Sequence, residues 1–151
     1  MTTLPIEIRR ATATDLNLLV PLFDAYRQFY RQPSEQDRAR SFLLDRLERK
    51  ESIVFLAFEY GEAVGFTQIY PSFSSGAMAP ILILNDLFVT PRARGRGVGS
   101  ALLRAAADYG RSTGAVRMVL STELTNTTAQ SVYERLGWKR DTTFCVYNLA
   151  L

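Results

Sequence analysis

The chain has 151 residues, a formal net charge of +3, and 47% hydrophobic against 22% charged residues. This is the length of a single domain, 1–151, with globular composition and enough chain to bury about two-thirds of its unfolded surface in one core. It contains no histidine and a single cysteine, Cys145, so histidine-based triads and an intrachain disulfide are excluded, and zinc chemistry is disfavoured. No apolar run reaches the ~18–20 residues of a membrane span, and the opening MTTLPIEIRR has no signal-peptide core. With its unpaired cysteine the expected location is the cytoplasm.

In chain order, the alternation Ile6-Glu-Ile8-Arg reads as a first strand. Thr14-Asp15 then opens an amphipathic helix over 15–31, with Leu19, Leu22, Phe23, Tyr26, Phe29 and Tyr30 at helical spacing and Pro21 inside the pattern. A turn at Pro33 leads to a second helix, expected to be capped by Ser34 and to run to about Lys50. Its outer charges (Asp37, Arg38, Arg40, Asp45, Arg46, Glu48) read as a solvated face. Ile53–Phe58 and Ala63–Tyr70 are strands joined by a turn at Gly61. Residues 71–80, rich in Pro, Ser and Gly, read as a loop, either a plain connection or a lid carrying Phe73 and Met78.

The stretch from Leu84 to Tyr109, LNDLFVTPRARGRGVGSALLRAAADY, organises the rest. An apolar branched run ends at Thr90-Pro91. Gly95, Gly97 and Gly99 then alternate with other residues before a helix marked by Val98, Ala101, Leu102, Ala105, Ala106 and Tyr109. Strand, glycine-rich turn and helix start form an anion cradle, because glycine lets backbone approach a ligand and the first helical turn has free N–H groups. Between Leu87 and Ala107 there are four arginines (Arg92, Arg94, Arg96, Arg104) and no acid. The P-loop tripeptide Gly-Lys-Ser/Thr is missing, and G-x-G-x-G is not the dinucleotide fingerprint.

After Gly114, a C-terminal helix stop, Val116–Ser121 alternates as a fifth strand. Asn126 or Thr127 caps a further helix with Ala129, Val132, Tyr133 and Leu136 inward, ended by Gly137. Trp138–Arg140 and Thr143–Leu149 read as two closing strands, in which Cys145 is expected to be a buried packing residue.

Arg94 to Gly99, R-x-x-G-x-G, resembles the acyl-CoA pyrophosphate loop of the GNAT superfamily of N-acetyltransferases. LNDLFV resembles that superfamily's fourth strand. Asn126 to Trp138 resembles its second cofactor motif, N-x(6)-Y-x(3)-G-[FWY]. The early Tyr26-x-x-Phe29-Tyr30 helix together with the LNDLFV strand is similar to the subgroup of histone, polyamine and D-amino-acid acetyltransferases.

The resemblance implies an α/β (α+β) three-layer fold with a mixed, mostly antiparallel sheet of about six to seven strands and about four helices. Strands four and five would splay apart to admit the cofactor. It implies acetyl-CoA as cosubstrate, no metal, an amine-bearing acceptor and, by analogy, a homodimer joined through the C-terminal strands. Gly95, Arg96, Gly97, Val98, Gly99 and Ser100 would hold the pyrophosphate, with charge from Arg94 or Arg96. Leu87, Phe88 and Val89 would pair with the pantetheine arm, the Val89 N–H facing the acetyl oxygen. Asn126 would bond the pantetheine amide and Tyr133 would be the general acid.

A phenol near pKa 10 can protonate a thiolate whose free pKa is about 8.5. Asp86 is a candidate base, and Tyr26, Tyr30, Asn85 and Glu123 are candidate acceptor contacts. Asn85 stands where polyamine acetyltransferases tend to carry an acid. Strict alternation along a strand puts Asn85 and Asp86 on opposite faces. The competing readings are a non-catalytic CoA-binding module, or a nucleic-acid-binding module using the Arg92–Arg104 patch. The second is disfavoured because the basic residues sit in one loop without interleaved aromatics.

Overall fold

A computed structural model of the protein describes residues 5–151. Residues through Leu120 form one compact unit and Ser121–Leu151 a second. In the first unit, five strands lie side by side in chain order: β1 (Glu7–Arg10), β2 (Ile53–Glu59), β3 (Glu62–Ser74), β4 (Ala79–Val89) and β5 (Met118–Val119). The first four pair antiparallel, and β5 runs parallel to β4. The helices α1 (Leu16–Phe29), α2 (Gln36–Glu48) and α3 (Val98–Thr113) complete this unit. The mixed α/β fold expected from the sequence is present, with five strands among the described residues rather than six to seven.

The strand pattern divides the side chains between two cores. Leu56, Phe58, Phe66 and Phe88 join Leu16, Leu19, Phe23, Ala39 and Leu43 under α1 and α2. Ala57 and Val64 join Val98 and Leu102 of α3 on the other side. Each helix buries the stripe that its sequence repeats every three to four residues. Pro21 lies inside α1 on its exposed side, so its missing N–H neither ends the helix nor disturbs the core.

Two carboxylates tie α1 to its neighbours. Asp15 accepts both guanidinium nitrogens of Arg9, at 2.9 and 3.0 Å, and the Thr12 N–H at 2.8 Å, which fixes the step from β1 into the helix. Asp24, 2% exposed, accepts Ser34 Oγ at 2.6 Å, the Glu35 N–H at 2.9 Å and Gln28 Nε2 at 3.0 Å. Burial by itself would raise the Asp24 carboxyl. These bonds, with Arg27 nearby, outweigh burial and hold it below the usual carboxylate range. The expected Ser34 cap is therefore corrected: Glu35 occupies the N-cap of α2, and Ser34 spends its hydroxyl on Asp24.

The segment 71–80 is also corrected. β3 and β4 continue as a paired hairpin through Pro71↔Leu82, Ser72↔Ile81, Phe73↔Pro80 and Ser74↔Ala79. The plain connection holds and the lid does not, with Phe73 and Met78 at 81% and 91% exposed around a short turn. Ladder hydrogen bonds override the local turn composition here.

The second unit contains α4 (Thr127–Arg135). Asn126 caps it, accepting the Ala129 N–H at 3.1 Å, and Gly137 ends it at φ +95°. Trp138–Arg140 and Thr143–Leu149 are not strands, and Cys145 is exposed rather than buried. Strand-like alternation marks a segment that can pair, but a strand exists only where a neighbour completes its ladder. Asp141 Oδ1 instead accepts the Thr143 and Phe144 N–H groups in a local turn.

Gly65 shows how tightly α3 is seated. A Cβ there would lie 2.8 Å from the Phe88 carbonyl oxygen and 3.3 Å from Leu102 Cδ1. The carbonyl belongs to the sheet ladder and cannot yield. Gly65→Val is expected to cost about 1–3 kcal/mol, measured by urea denaturation. A midpoint equal to wild type would contradict this packing.

Candidate active site

The site is built on the last six residues of β4. Thr90 N–H donates to Val64 O at 2.8 Å, and the ladder continues through Val89↔Gly65, Phe88↔Phe66, Leu87↔Thr67 and Asp86↔Gln68. In an antiparallel ladder hydrogen-bonded pairs alternate with non-bonded ones. Thr90, Phe88 and Asp86 therefore use their backbone groups toward β3, while Val89 and Leu87 point theirs away from it. On that far side β5 pairs only at Leu82↔Met118 and Ile83↔Val119. β5 ends at Val119, and among the described residues no strand pairs with β4 on this side beyond Ile83, so the backbone of Leu87 and Val89 has no ladder partner there. The Val89 carbonyl accepts Arg94 Nε at 2.9 Å.

The glycine-rich turn lies at the end of this edge. Gly95 and Gly97 have φ +77° and +88°, and Gly97 is the N-cap of α3. A side chain at either would be strained, although a Cβ there meets nothing within 4 Å. The Cβ position of Gly99, in the first turn, lies 3.9 Å from Val89 Cγ2. The turn therefore presents bare backbone and the N–H groups of the first turn of a 16-residue helix. That is a donor set suited to a diphosphate. Tertiary structure changes the charge balance read from the sequence. Glu62 pairs with Arg92 at 2.8 Å and Glu59 with Arg96 at 3.1 Å, both acids coming from the β2–β3 turn region. The Arg94 guanidinium lies over the Phe29 and Phe88 rings, 5.4 and 5.6 Å from their centroids.

A polar cluster lies under α1. The β3–β4 register passes from Gln68↔Asp86 directly to Ile69↔Leu84, so Asn85 is a bulged residue. The bulge breaks the alternation that would have separated Asn85 from Asp86. Asn85 Nδ2 donates to Asp86 Oδ1 at 3.0 Å, correcting the expectation of opposite faces. Gln68 Nε2 donates to Asp86 Oδ2 at 2.6 Å. Tyr26 OH donates to the Asn85 carbonyl at 3.4 Å, and the Tyr30 ring stands edge-on to Tyr26 at 5.0 Å.

Asp86 is 3% exposed, and burial pushes its carboxyl above the usual range against the pull of Gln68, Asn85 and Tyr26. Burial and the nearby Asp86 raise the Tyr26 phenol, and they push Tyr70 up to about 12. A buried carboxyl with a raised titration beside an unpaired strand edge is a candidate for proton transfer or amine capture.

The structure thus brings together Tyr26, Tyr30, Asn85 and Asp86, and sets Leu87, Phe88 and Val89 beside the Arg94–Ser100 turn. Asn126, Tyr133 and Glu123 belong to the second unit. There Tyr133 and Trp138 lie 6.2 Å apart, centroid to centroid, and the Glu123 carbonyl accepts the Asn126 N–H at 3.0 Å and Gln130 Nε2 at 3.0 Å. Sequence reading missed Gln68 and Tyr70. A glutamine inside an apolar strand was the available signal for the first, since a buried amide needs partners. Among the described residues no group of three or more His, Cys, Asp or Glu side chains could hold a metal ion. Nor is any helix among them long and apolar enough to cross a membrane.

A β4 edge left unpaired next to a glycine turn and a helix start is a backbone donor set suited to an anionic ligand. The model of the Acetyltransferase (GNAT) family matches residues 19–138. The chain is 49% identical over 144 residues to the uncharacterized N-acetyltransferase YhfO of Bacillus subtilis (strain 168), covering 95% of this chain and 97% of that protein. A crystal structure of a probable acetyltransferase superposes with a TM-score of 0.91 at 44% identity, over 96% of this chain and 97% of the other. The aminoglycoside N-acetyltransferase AAC(6')-Iy, solved in complex with CoA, shares the fold at a TM-score of 0.82 and 24% identity, over 97% and 96% of the two chains. The chain belongs to the GNAT family, and it is an acyltransferase.

The Asp86 carboxyl also makes a stability prediction. A carboxyl whose folded value lies above its unfolded one, about 3.9, favours the folded state while protonated. It loses that advantage as pH rises through the folded value. Asp86→Asn is therefore expected to gain in Tm relative to wild type as pH rises above about 4. A difference in Tm that stays constant with pH would show that burial does not govern this carboxyl.

Proposed function

We propose that the protein transfers an acetyl group from acetyl-CoA directly to the primary amine of a small molecule, peptide or protein. The observation that carries this reading is the backbone of Leu87 and Val89, turned to the open side of β4 beside the glycine turn. Acetyl-CoA fits these residues. Gly95 to Ser100, with Arg94 or Arg96, would hold its diphosphate, and Leu87, Phe88 and Val89 its pantetheine arm. Bound there, it supplies an activated acyl group. The Val89 N–H is a fixed donor for the negative charge that develops on the acyl oxygen, worth about 2.7–4 kcal/mol where such donors have been removed.

Asp86 collects the acceptor's ammonium and takes its proton, and Asn85, Tyr26, Tyr30 and Glu123 contact the acceptor. In this reading Tyr133 protonates the departing thiolate, and Asn126 bonds the pantetheine amide besides capping α4. The family motif over Asn126–Trp138 supports both roles. The family match across residues 19–138 also supports one catalytic domain spanning both compact units. The reading includes a homodimer joined through the C-terminal segment, supported by the exposure of Phe144, Val146, Tyr147 and Leu149. It also includes a cytoplasmic location and no metal.

The pairing of Arg92 and Arg96 with acids weighs against the nucleic-acid reading. Thiol release from acetyl-CoA over a panel of primary amines tests transfer itself. Binding of acetyl-CoA without release in any member would favour the non-catalytic module.

Two variants test the assignments. Gly99→Leu places a side chain between the helix start and Val89 without backbone strain. It should abolish the rise in melting temperature that acetyl-CoA gives wild type while leaving the apo Tm within a few degrees. At 100 times Kd that rise corresponds to about 2.7 kcal/mol, and its survival would remove the cradle. Tyr133→Phe should lower kcat about 10²-fold with acetyl-CoA affinity unchanged. Unchanged turnover across the pH range would eliminate the phenol as acid.

A further inference from the structure

We propose that Gln68 is the positioning residue of the acceptor site: it holds the Asp86 carboxylate and offers its own carbonyl as a second acceptor for a primary ammonium. The proposal rests on the transferase reading and names how the amine is recognised.

Gln68 sits on β3 directly opposite Asp86, in a position of the ladder where the two backbones bond and the side chains share a face. Its Nε2 donates to Asp86 Oδ2 at 2.6 Å, closer than the 3.0 Å bond from Asn85 Nδ2. A carboxylate has about four acceptor sites. Gln68 and Asn85 donate to two of them, which leaves acceptor capacity for a ligand. Both donors are neutral. A buried carboxylate held by neutral donors is stabilised further by a cation, and an acceptor amine in its ammonium form is one.

The second observation concerns the rest of the Gln68 amide. Its side chain is fully buried, yet its carbonyl oxygen has no hydrogen-bond partner. An orphaned buried acceptor is costly unless something completes it. Here it lies one amide width from the Asp86 bond. An ammonium that gives one N–H to Asp86 and a second to Gln68 Oε1 satisfies both. Only an amine with at least two N–H groups in its charged form can do this, so tertiary amines should bind poorly. The titratable groups around the cluster are Tyr26 on α1, Tyr30 at its C-cap and Tyr70 on β3, with Arg46 of α2 acting on Tyr70.

The test compares wild type with Gln68→Leu and Gln68→Glu. In steady-state assays over primary amines, Gln68→Leu should raise the acceptor KM by at least about tenfold, the scale for losing a hydrogen bond to a charged group. The KM for acetyl-CoA should stay within about twofold of wild type, and the acidic limb of kcat/KM should move to higher pH. Gln68→Glu restores a second oxygen but sets two acids against one another, and should move that limb further in the same direction.

An acceptor KM and pH profile that stay put in Gln68→Leu overturn the proposal. Infrared titration of the Asp86 carboxyl, assigned by its loss in Asp86→Asn, supplies a readout that does not depend on turnover. Its midpoint should rise in Gln68→Leu, and an unmoved midpoint overturns the clamp even in an inactive variant. If wild type binds acetyl-CoA and acetylates no amine, the acceptor role falls with the transferase reading, while the infrared midpoint still decides whether Gln68 holds Asp86.

Discussion

β4 is bonded to β3 from Ala79 to Val89 and to β5 at Leu82 and Ile83 only. That asymmetry is the constraint from which the site follows. A strand bonded along both edges has no backbone left for a ligand, and a strand bonded along neither has no fixed geometry. β4 is held by β3 along its length and by β5 at two positions only, so the Leu87 groups and the Val89 N–H are both precise and free of ladder bonds, while the Val89 carbonyl is taken by Arg94. Preorganised donors of this kind do not have to reorganise when charge develops near them.

The bulge at Asn85 adds a second consequence. It shifts the register by one residue between the outer hairpin and the half of β4 next to the glycine turn. Ile81, Leu82 and Leu84 then fill the core, while Asp86 turns toward Tyr26 and Gln68 instead of being lost to the opposite face. A carboxyl at that depth works against stability, and its place beside the free β4 edge is what makes it a candidate for chemistry. Asp24 is the useful contrast. It is as little exposed as Asp86, but a hydroxyl, a backbone N–H and an amide hold it with Arg27 nearby, and its titration moves in the opposite direction. Environment, not residue type, separates the structural acid from the candidate catalytic one.

The basic loop makes a related point about charge. In the sequence its arginines look like an uncompensated patch. Glu59 and Glu62 from the β2–β3 turn engage two of them, and the third, Arg94, serves the Val89 carbonyl and two aromatic faces. The anion binding proposed for this turn would therefore rest on backbone N–H groups and the helix start more than on net charge.

The amphipathic periods of α1 and α3, the Gly95–Gly99 turn, the Gly114 stop and the Asn126 cap were legible in the sequence because each depends on residues within one turn of one another. Spacing and backbone freedom are local properties, and the sequence states them directly. The Asn85 bulge, the meeting of Gln68 with Asp86, the Ser34–Asp24 bond and the arginine pairings were not legible. Each joins residues brought together by register or by chain reversal, and a one-residue slip would have placed them on different faces. The C-terminal residues mark the same boundary from the other side: their alternation shows that they can pair, and whether they do depends on a neighbour that the pattern itself does not contain.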